Sequence, residues 1–316
     1  MAKRIAQVDL GTIKPPRDWT LEDGITQSLL SSYLCCPFRG LLKFNRWCHD
    51  SKRANTRFGS AFHEMLDKAY SKKKAPTDKA LMSELEAYLT SSSDYTTKEL
   101  EQREEDKAVL HAVLRNYYRH YARDFKDKNF KRVEKSYDVE WNGWRLRGKI
   151  DGEYLDGKGR VRLMEHKTKS RIDEDTMMQK LAFDFQNLMY ITMYEAETGK
   201  KVYGTLYNVI RRPGLHRKAA ETLKQFADRV AEDVAARPEH HFKRIEIMYS
   251  AKDKALFKQE LNEILNDLEF RLDVGVEKFY RNRFACDLPF KCEFLEACAS
   301  GHLGGYTQQE SLFPEL

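Results

Sequence analysis

The chain has 316 residues, 41% of them apolar and 33% charged, with 55 Lys plus Arg against 49 Asp plus Glu for a formal charge of +6. This composition excludes a disordered chain and allows one large domain or two smaller ones. No apolar run approaches the roughly 18 residues of a membrane span, and Met1-Ala2-Lys3-Arg4 opens no apolar signal core, so a cytoplasmic protein without membrane contact is expected.

In chain order, residues 1–25 read as irregular, with Pro15-Pro16 blocking early regular structure. A helix is predicted from about Thr26 or Ser28 to Phe44, broken or kinked at Pro37. Further helices follow over about Phe58–Tyr70, Asp78–Leu89 and Thr97–Phe125. The pattern then changes to period two. Val133–Trp141 and Trp144–Leu155 read as strands joined by the Asn142-Gly143 turn, and Arg160–Thr168 as a third strand after Asp156-Gly157-Lys158-Gly159. A helix over Met177–Glu197, a strand over Val202–Ile210 and helices over about His216–Ala236 and Lys252–Tyr280 complete the list. The expected fold class is α/β: a small mixed sheet flanked by helices, behind a helical N-terminal region and ahead of a C-terminal cysteine cluster.

Two carboxylates dominate the sheet segment. Asp151 follows Gly148-Lys149-Ile150, and Glu165-His166-Lys167 lies fourteen residues on, across a glycine-containing turn. A hairpin brings Asp151 and Glu165 to neighbouring positions, a hard-oxygen site suited to Mg²⁺ or Mn²⁺. Lys167 shares the face of Glu165, because side chains alternate along a strand. Phosphodiester hydrolysis needs this grouping, since it requires an activated water and positive charge at phosphorus. On the helix after Gly59, residues Phe58, Phe62, Met65, Leu66 and Ala69 form an apolar stripe, and His63 lies at its edge, able to reach a cleft. An imidazole beside carboxylates favours Mn²⁺. Gln186 and Tyr190, four apart, share one helix face.

Taken together, Gly59-x-x-x-His63, Gly148-x-x-Asp151, Glu165-x-Lys167 and Gln186-x-x-x-Tyr190 resemble the ordered motifs of RecB-type nucleases in the PD-(D/E)XK superfamily, over about residues 28–298. The resemblance implies a restriction-endonuclease-like core and a DNA nuclease, of exonuclease type on single strands or ends, in recombination, repair or phage DNA processing. It implies that His63, Asp151, Glu165 and the His166 backbone carbonyl bind the metal. Lys167 would assist the water, and Gln186 and Tyr190 would line the site. Two other readings are a catalytically silent DNA-binding or recombination scaffold and an endonuclease of the same superfamily. Singly, each motif residue reads as a turn cap, a solvated strand face or a helix surface.

Six cysteines fall in two groups, Cys35, Cys36 and Cys48 near the start and Cys286, Cys292 and Cys298 near the end. In a cytosolic protein such clusters point to a metal site more than to disulfides. The pattern is similar to the iron–sulfur subset of the family, AddB-like and CRISPR-adaptation nucleases, which implies a [4Fe–4S] cluster on Cys36, Cys286, Cys292 and Cys298. The spacing departs from that subset, with five residues rather than two between the first two trailing cysteines. Cys35 stands as an alternative to Cys36, zinc as an alternative metal, and buried free thiols as the plain reading. Cys48 reads as structural.

The chain thus divides into an irregular segment (1–25), a helical region with the first cluster cysteine and the histidine motif (26–130), a nuclease core (131–215), a helical region with the trailing cysteines (216–299) and a flexible tail (300–316). The tail's Gln309-Glu310-Ser311-Leu312-Phe313 resembles the peptide that docks bacterial proteins on the sliding clamp, with Gln309, Leu312 and Phe313 as contacts. Alternatively, Leu312 and Phe313 fold back on their own domain.

Overall fold

The computed structural model describes residues 9–13, 23–49, 53–90, 97–126, 130–287, 291–311 and 313. Helices α1 (Gln27–Cys35) and α2 (Pro37–Phe44) come first. Cys36 is extended between them and Pro37 takes the first position of α2, where its missing N–H costs nothing. A short strand β1 (Trp47–His49) leads to helices α3 (Arg53–Ser71), α4 (Asp78–Leu89) and α5 (Thr97–His120).

Strands β2 (Phe130–Trp141), β3 (Trp144–Leu155) and β4 (Val161–Lys169) follow. Asn142 and Gly143 both have positive φ, 50° and 82°, the two-residue turn that matches strand twist, and Trp141 pairs with Trp144 across it. The helix expected over 177–197 is two helices, α6 (Glu174–Leu181) and α7 (Phe185–Thr198). Asp184 starts the second one by accepting the Asn187 N–H, which the apolar periodicity alone did not reveal.

Strand β5 (Val202–Arg211) is followed by α8 (Leu223–Ala236), which starts later than expected because Thr222 and Gln225 form a capping box. A short helix α9 (Pro238–His241) runs into β6 (Phe242–Met248), a strand the sequence reading missed. Helix α10 (Ala251–Val274) stops six residues before the expected end, capped by Gly275. The described chain closes with α11 (Leu295–Ser300) and β7 (Tyr306–Gln308).

The main sheet has the order β2-β3-β4-β5-β6. Only β4 and β5 are parallel, joined by the α6–α7 crossover; the other neighbours are antiparallel. Each face is covered. One core joins α1, α2, α7 and α10 through Leu29, Leu30, Leu163, Met189, Ile191 and Phe257. The other joins α3, α4, α5 and α8 through Phe62, Leu85, Leu114, Met164, Leu206 and Val230. This is the α/β architecture expected, a mixed sheet flanked by helices.

The chain ends meet. Strands β1 and β7 pair antiparallel, Cys48 opposite Thr307. Tyr306 is buried, stacks on Phe294 at 5.4 Å and donates to the Glu293 carbonyl at 2.6 Å. In the tail expected to be flexible (300–316), residues 301–306 are therefore anchored through buried Leu303 and Tyr306, while Gly304 and Gly305 stay exposed. Their glycines suggested a linker; a single buried aromatic with a satisfied hydroxyl outweighs them.

Candidate active site

The sheet opens where the carboxylates stand. Strand β3 pairs with β4 only from Gly152 to Leu155, opposite Val161 to Met164, while β4 continues to pair with β5 as far as Lys169. Beyond Met164, then, β4 has lost its ladder partner on the β3 side. The Asp151 carboxylate fills part of that gap: its Oδ2 accepts the His166 backbone N–H at 2.7 Å. An orphaned strand donor is thereby satisfied by a side chain, and the same side chain is fixed at the cleft floor.

Two glycines permit the helices to close in. A Cβ on Gly148 would meet the Tyr190 ring at 2.8 Å, so only glycine lets α7 lie this close to β3. A Cβ on Gly59 would come within 3.1 Å of Thr168 Oγ1 at the end of β4. One turn after Gly59, His63 Nδ1 reaches to 3.6 Å from Asp151 Oδ1. The spacings Gly59-x-x-x-His63 and Gly148-x-x-Asp151 thus have steric causes.

Glu165 and Lys167 project from the same face of β4. Glu165 is 3% exposed. Its Oε1 accepts from Lys167 Nζ at 2.5 Å and from Gln186 Nε2 at 2.7 Å. Gln186 also accepts from Lys167 at 3.0 Å and donates to the Tyr190 hydroxyl at 3.3 Å. Burial, then the Asp151 charge, push the Glu165 carboxyl upward. Burial pushes Asp151 the same way, but the His63 and His166 contacts outweigh it and hold that carboxyl low. Two neighbouring carboxyls are thus driven apart, one readily ionised and one reluctant. Burial would lower Lys167, yet the Glu165 partnership prevails and keeps it raised, so the lysine is a cation.

The cleft, about 790 Å³, is lined by His63, Asp151, Lys167, Gln186 and Tyr190, with Gln27 and Ser28 from the first turn of α1 and Phe313 from the tail. Asp151 Oδ1 and His63 Nδ1 face each other at a distance somewhat beyond the roughly 3 Å that separates adjacent ligands of an octahedral ion with bonds of about 2.1 Å. Oxygen and imidazole donors suit Mg²⁺ or Mn²⁺. Among the described residues no three His, Cys, Asp or Glu side chains already converge on one point, because Glu165 is turned into its bonds with Lys167 and Gln186.

The cysteines gather at the other end. Cys36, Cys286, Cys292 and Cys298 line one cavity of about 340 Å³, with Phe38, Arg39, Arg281 and Phe294. Cys35 is not among its walls; it accepts from Arg39 Nη1 at 3.8 Å. Cys48 pairs with Thr307 instead. All six are free thiols. Burial, first among the causes, raises the Cys292 and Cys298 thiols.

In the tail, the Gln309 N–H donates to the Arg46 carbonyl at 2.9 Å, Phe313 is buried at the cleft, and Leu312 lies outside the described residues. Of the basic stretches Lys72–Lys74 and Arg211–Arg212, Arg212 pairs with Asp106 and Lys72 with Glu84. The sequence reading missed a polar group under the site, Asn208 with Arg244, Tyr70 and Tyr117. A lone asparagine inside the apolar run Leu206-Tyr207-Asn208-Val209-Ile210 was the one available signal, since Arg244 sits on the unforeseen β6.

The fold sets two carboxylates and a lysine where two strands part. The family model described as the PD-(D/E)XK nuclease superfamily matches residues 25–299, and the chain belongs to that superfamily. No curated protein matches. Sixteen chains of solved structures match; one, described as the crystal structure of SSO0001, is 14% identical over 59% of this chain and 84% of that one, with a TM-score of 0.27. Among the described residues no helix is long and apolar enough to cross a membrane.

Proposed function

We propose that the protein is a metal-dependent deoxyribonuclease of the RecB branch, acting as an exonuclease on single-stranded DNA or DNA ends. One observation carries the reading. Asp151, Lys167, His63, Gln186 and Tyr190 line a single open cleft, and Glu165 is bonded to two of them.

Asp151, Glu165, His63 and the His166 carbonyl would hold Mg²⁺ or Mn²⁺. The bound ion supplies an acidified water and charge stabilisation at phosphorus. The protein's own groups do the rest. Lys167, held cationic, stabilises negative charge growing on the phosphoryl oxygens, and Gln186 fixes both Lys167 and Glu165. Tyr190, packed on Gly148, keeps the Gln186 amide in place. The first turn of α1 presents Gln27 and Ser28 to the cleft, a favourable neighbour for backbone phosphates.

A [4Fe–4S] cluster on Cys36, Cys286, Cys292 and Cys298 completes the proposal. Four thiols lining one cavity support it. The backbone N–H of Asn282 already donates to Cys36 Sγ at 3.3 Å, as suits a thiolate ligand. The cluster would fasten α1–α2 to the segment after α10. Clamp docking gains no support, because Phe313 is folded onto its own cleft.

The test is degradation of DNA labelled at either end, with Mn²⁺ or Mg²⁺, beside EDTA and Lys167→Ala controls. Metal-dependent loss of linear single strands, with circular strands spared, is the expected result. Cleavage of circles at the same rate would make it an endonuclease. Tight DNA binding without cleavage in either metal would leave the scaffold reading.

A further inference from the structure

We propose that Asn208 and Arg244 are positioning residues for the metal site, acting through the His166 ring to fix the part of β4 that has lost its β3 neighbour. The proposal rests on the metal-nuclease reading and deepens it.

The three residues form a row across three strands. His166 on β4 is in register with Asn208 on β5, and Asn208 with Arg244 on β6. All three side chains point away from Glu165 and Lys167, into the face covered by α3 and α5. His166 is 3% exposed and Asn208 fully buried. Such groups are costly there unless hydrogen-bonded.

The row has a fixed direction. Arg244 can only donate, so its Nε at 3.3 Å assigns that side of the Asn208 amide as oxygen. The amide nitrogen then faces His166 Nδ1 at 2.7 Å and the Tyr117 hydroxyl at 2.8 Å. Nδ1 must accept, which places the proton of the neutral ring on Nε2. Arg244 is itself held by Asp124 Oδ1 at 3.2 Å, by the hydroxyls of Tyr70 and Tyr117 at 3.2 and 3.3 Å, and by the Tyr121 ring at 3.6 Å. A permanent cation thus dictates the tautomer of a ring two strands away.

The ring matters to the site because of its backbone. His166 N–H holds Asp151, and its carbonyl is the proposed fourth ligand. Among the described residues His166 Nε2 has no hydrogen-bond partner and only Asn208 anchors the ring by hydrogen bonding. Take that anchor away and β4 beyond Met164 keeps a ladder on one side only.

Asn208→Asp tests the row in the full chain. A carboxylate accepts from both Arg244 and the ring, so it reverses the ring's role to an Nδ1–H donor. Histidine-selective ¹⁵N spectra of the metal-free protein should show His166 as the Nε2–H tautomer in the wild type and as Nδ1–H in Asn208→Asp. The Mn²⁺ dissociation constant, read from the EPR signal of free Mn²⁺, should rise about 10–100-fold, with unchanged circular dichroism. Arg244→Lys, a milder change, should give a mixed tautomer and a smaller loss of affinity. A wild-type ring carrying its proton on Nδ1, or both variants binding Mn²⁺ with wild-type affinity, would overturn the proposal. A wild type that binds neither Mn²⁺ nor Mg²⁺ would instead sink the nuclease reading, while the spectra would still report on the row.

Discussion

The cleft and the cysteine cavity are built in opposite ways. The carboxylates and lysine at the cleft come from one stretch, residues 148–190, in which strand register sets Asp151, Glu165 and Lys167 and one crossover helix adds Gln186 and Tyr190, while residues 26–28, 59–64, Tyr88 and Phe313 supply the remaining walls. The cysteine cavity joins Cys36 to Cys286, Cys292 and Cys298 from nearly the other end of the chain. Hydrogen bonds of a sheet hold the first. The second is held by side-chain contacts such as Arg39 and Lys43 on Glu293, and Tyr33 on Asp267. The difference teaches that the carboxylates and lysine are placed by short-range strand register, whereas the cysteine cavity joins segments some 250 residues apart and depends on long-range packing, which also pairs β1 with β7.

Four changes test that contrast, in falling order of effect. Lys167→Ala should lower the single-turnover cleavage rate about 100–1,000-fold with only a small fall in melting temperature, because the buried Glu165 that loses its cation partner can keep its proton. A comparable drop in melting temperature would mean that the cleft is not locally self-supporting. Cys292→Ser should do the reverse. Visible absorbance from the proposed cluster should vanish and the melting temperature fall by roughly 5–10 °C, with the surviving folded fraction still cutting DNA at low temperature. An unchanged melting temperature would remove the crosslink role.

Gly148→Ala should push the Tyr190 ring off β3, costing about 1–3 kcal/mol in a chemical denaturation curve and slowing cleavage roughly tenfold as Gln186 loses its neighbour. No change in either quantity would show that α7 can retreat freely. The smallest effect concerns pH. Glu165 is raised in the folded, metal-free protein, so its contribution to stability is full below its unfolded value and is lost as pH rises toward neutrality. A bound cation requires the ionised form. The melting-temperature gain given by saturating Mn²⁺ should therefore grow between acidic and neutral pH, by a few degrees. A flat gain over that range would argue that Glu165 does not take part in metal binding.

Much of this was legible in the residues. Asn142-Gly143 announced the β2–β3 turn, the Gly, His, Asp, Glu, Lys, Gln and Tyr spacings pointed to one site, and the Phe58–Ala69 stripe placed His63 at a helix edge. Helix ends and the fifth strand were less so. Asp184 splitting one helix into two and Phe242–Met248 forming β6 depend on capping and on a neighbouring strand, which periodicity does not record. The tail misled in a specific way, since Gly301, Gly304 and Gly305 read as a linker while Tyr306 anchors the segment by burial.

The sequence alone determined the α/β class and which side chains share a strand or helix face, because these follow from periods of two and 3.6 residues, and its motif order resembled the superfamily whose model the chain matches. Only the tertiary structure decided that β3 leaves β4 at Asp151, that Asp151 then holds the His166 N–H, that Phe313 lies at the cleft, and that Asn208 and Arg244 stand in line behind His166. Those are contacts between residues distant along the chain, and their geometry is set by how sheet and helices pack together rather than by any local pattern.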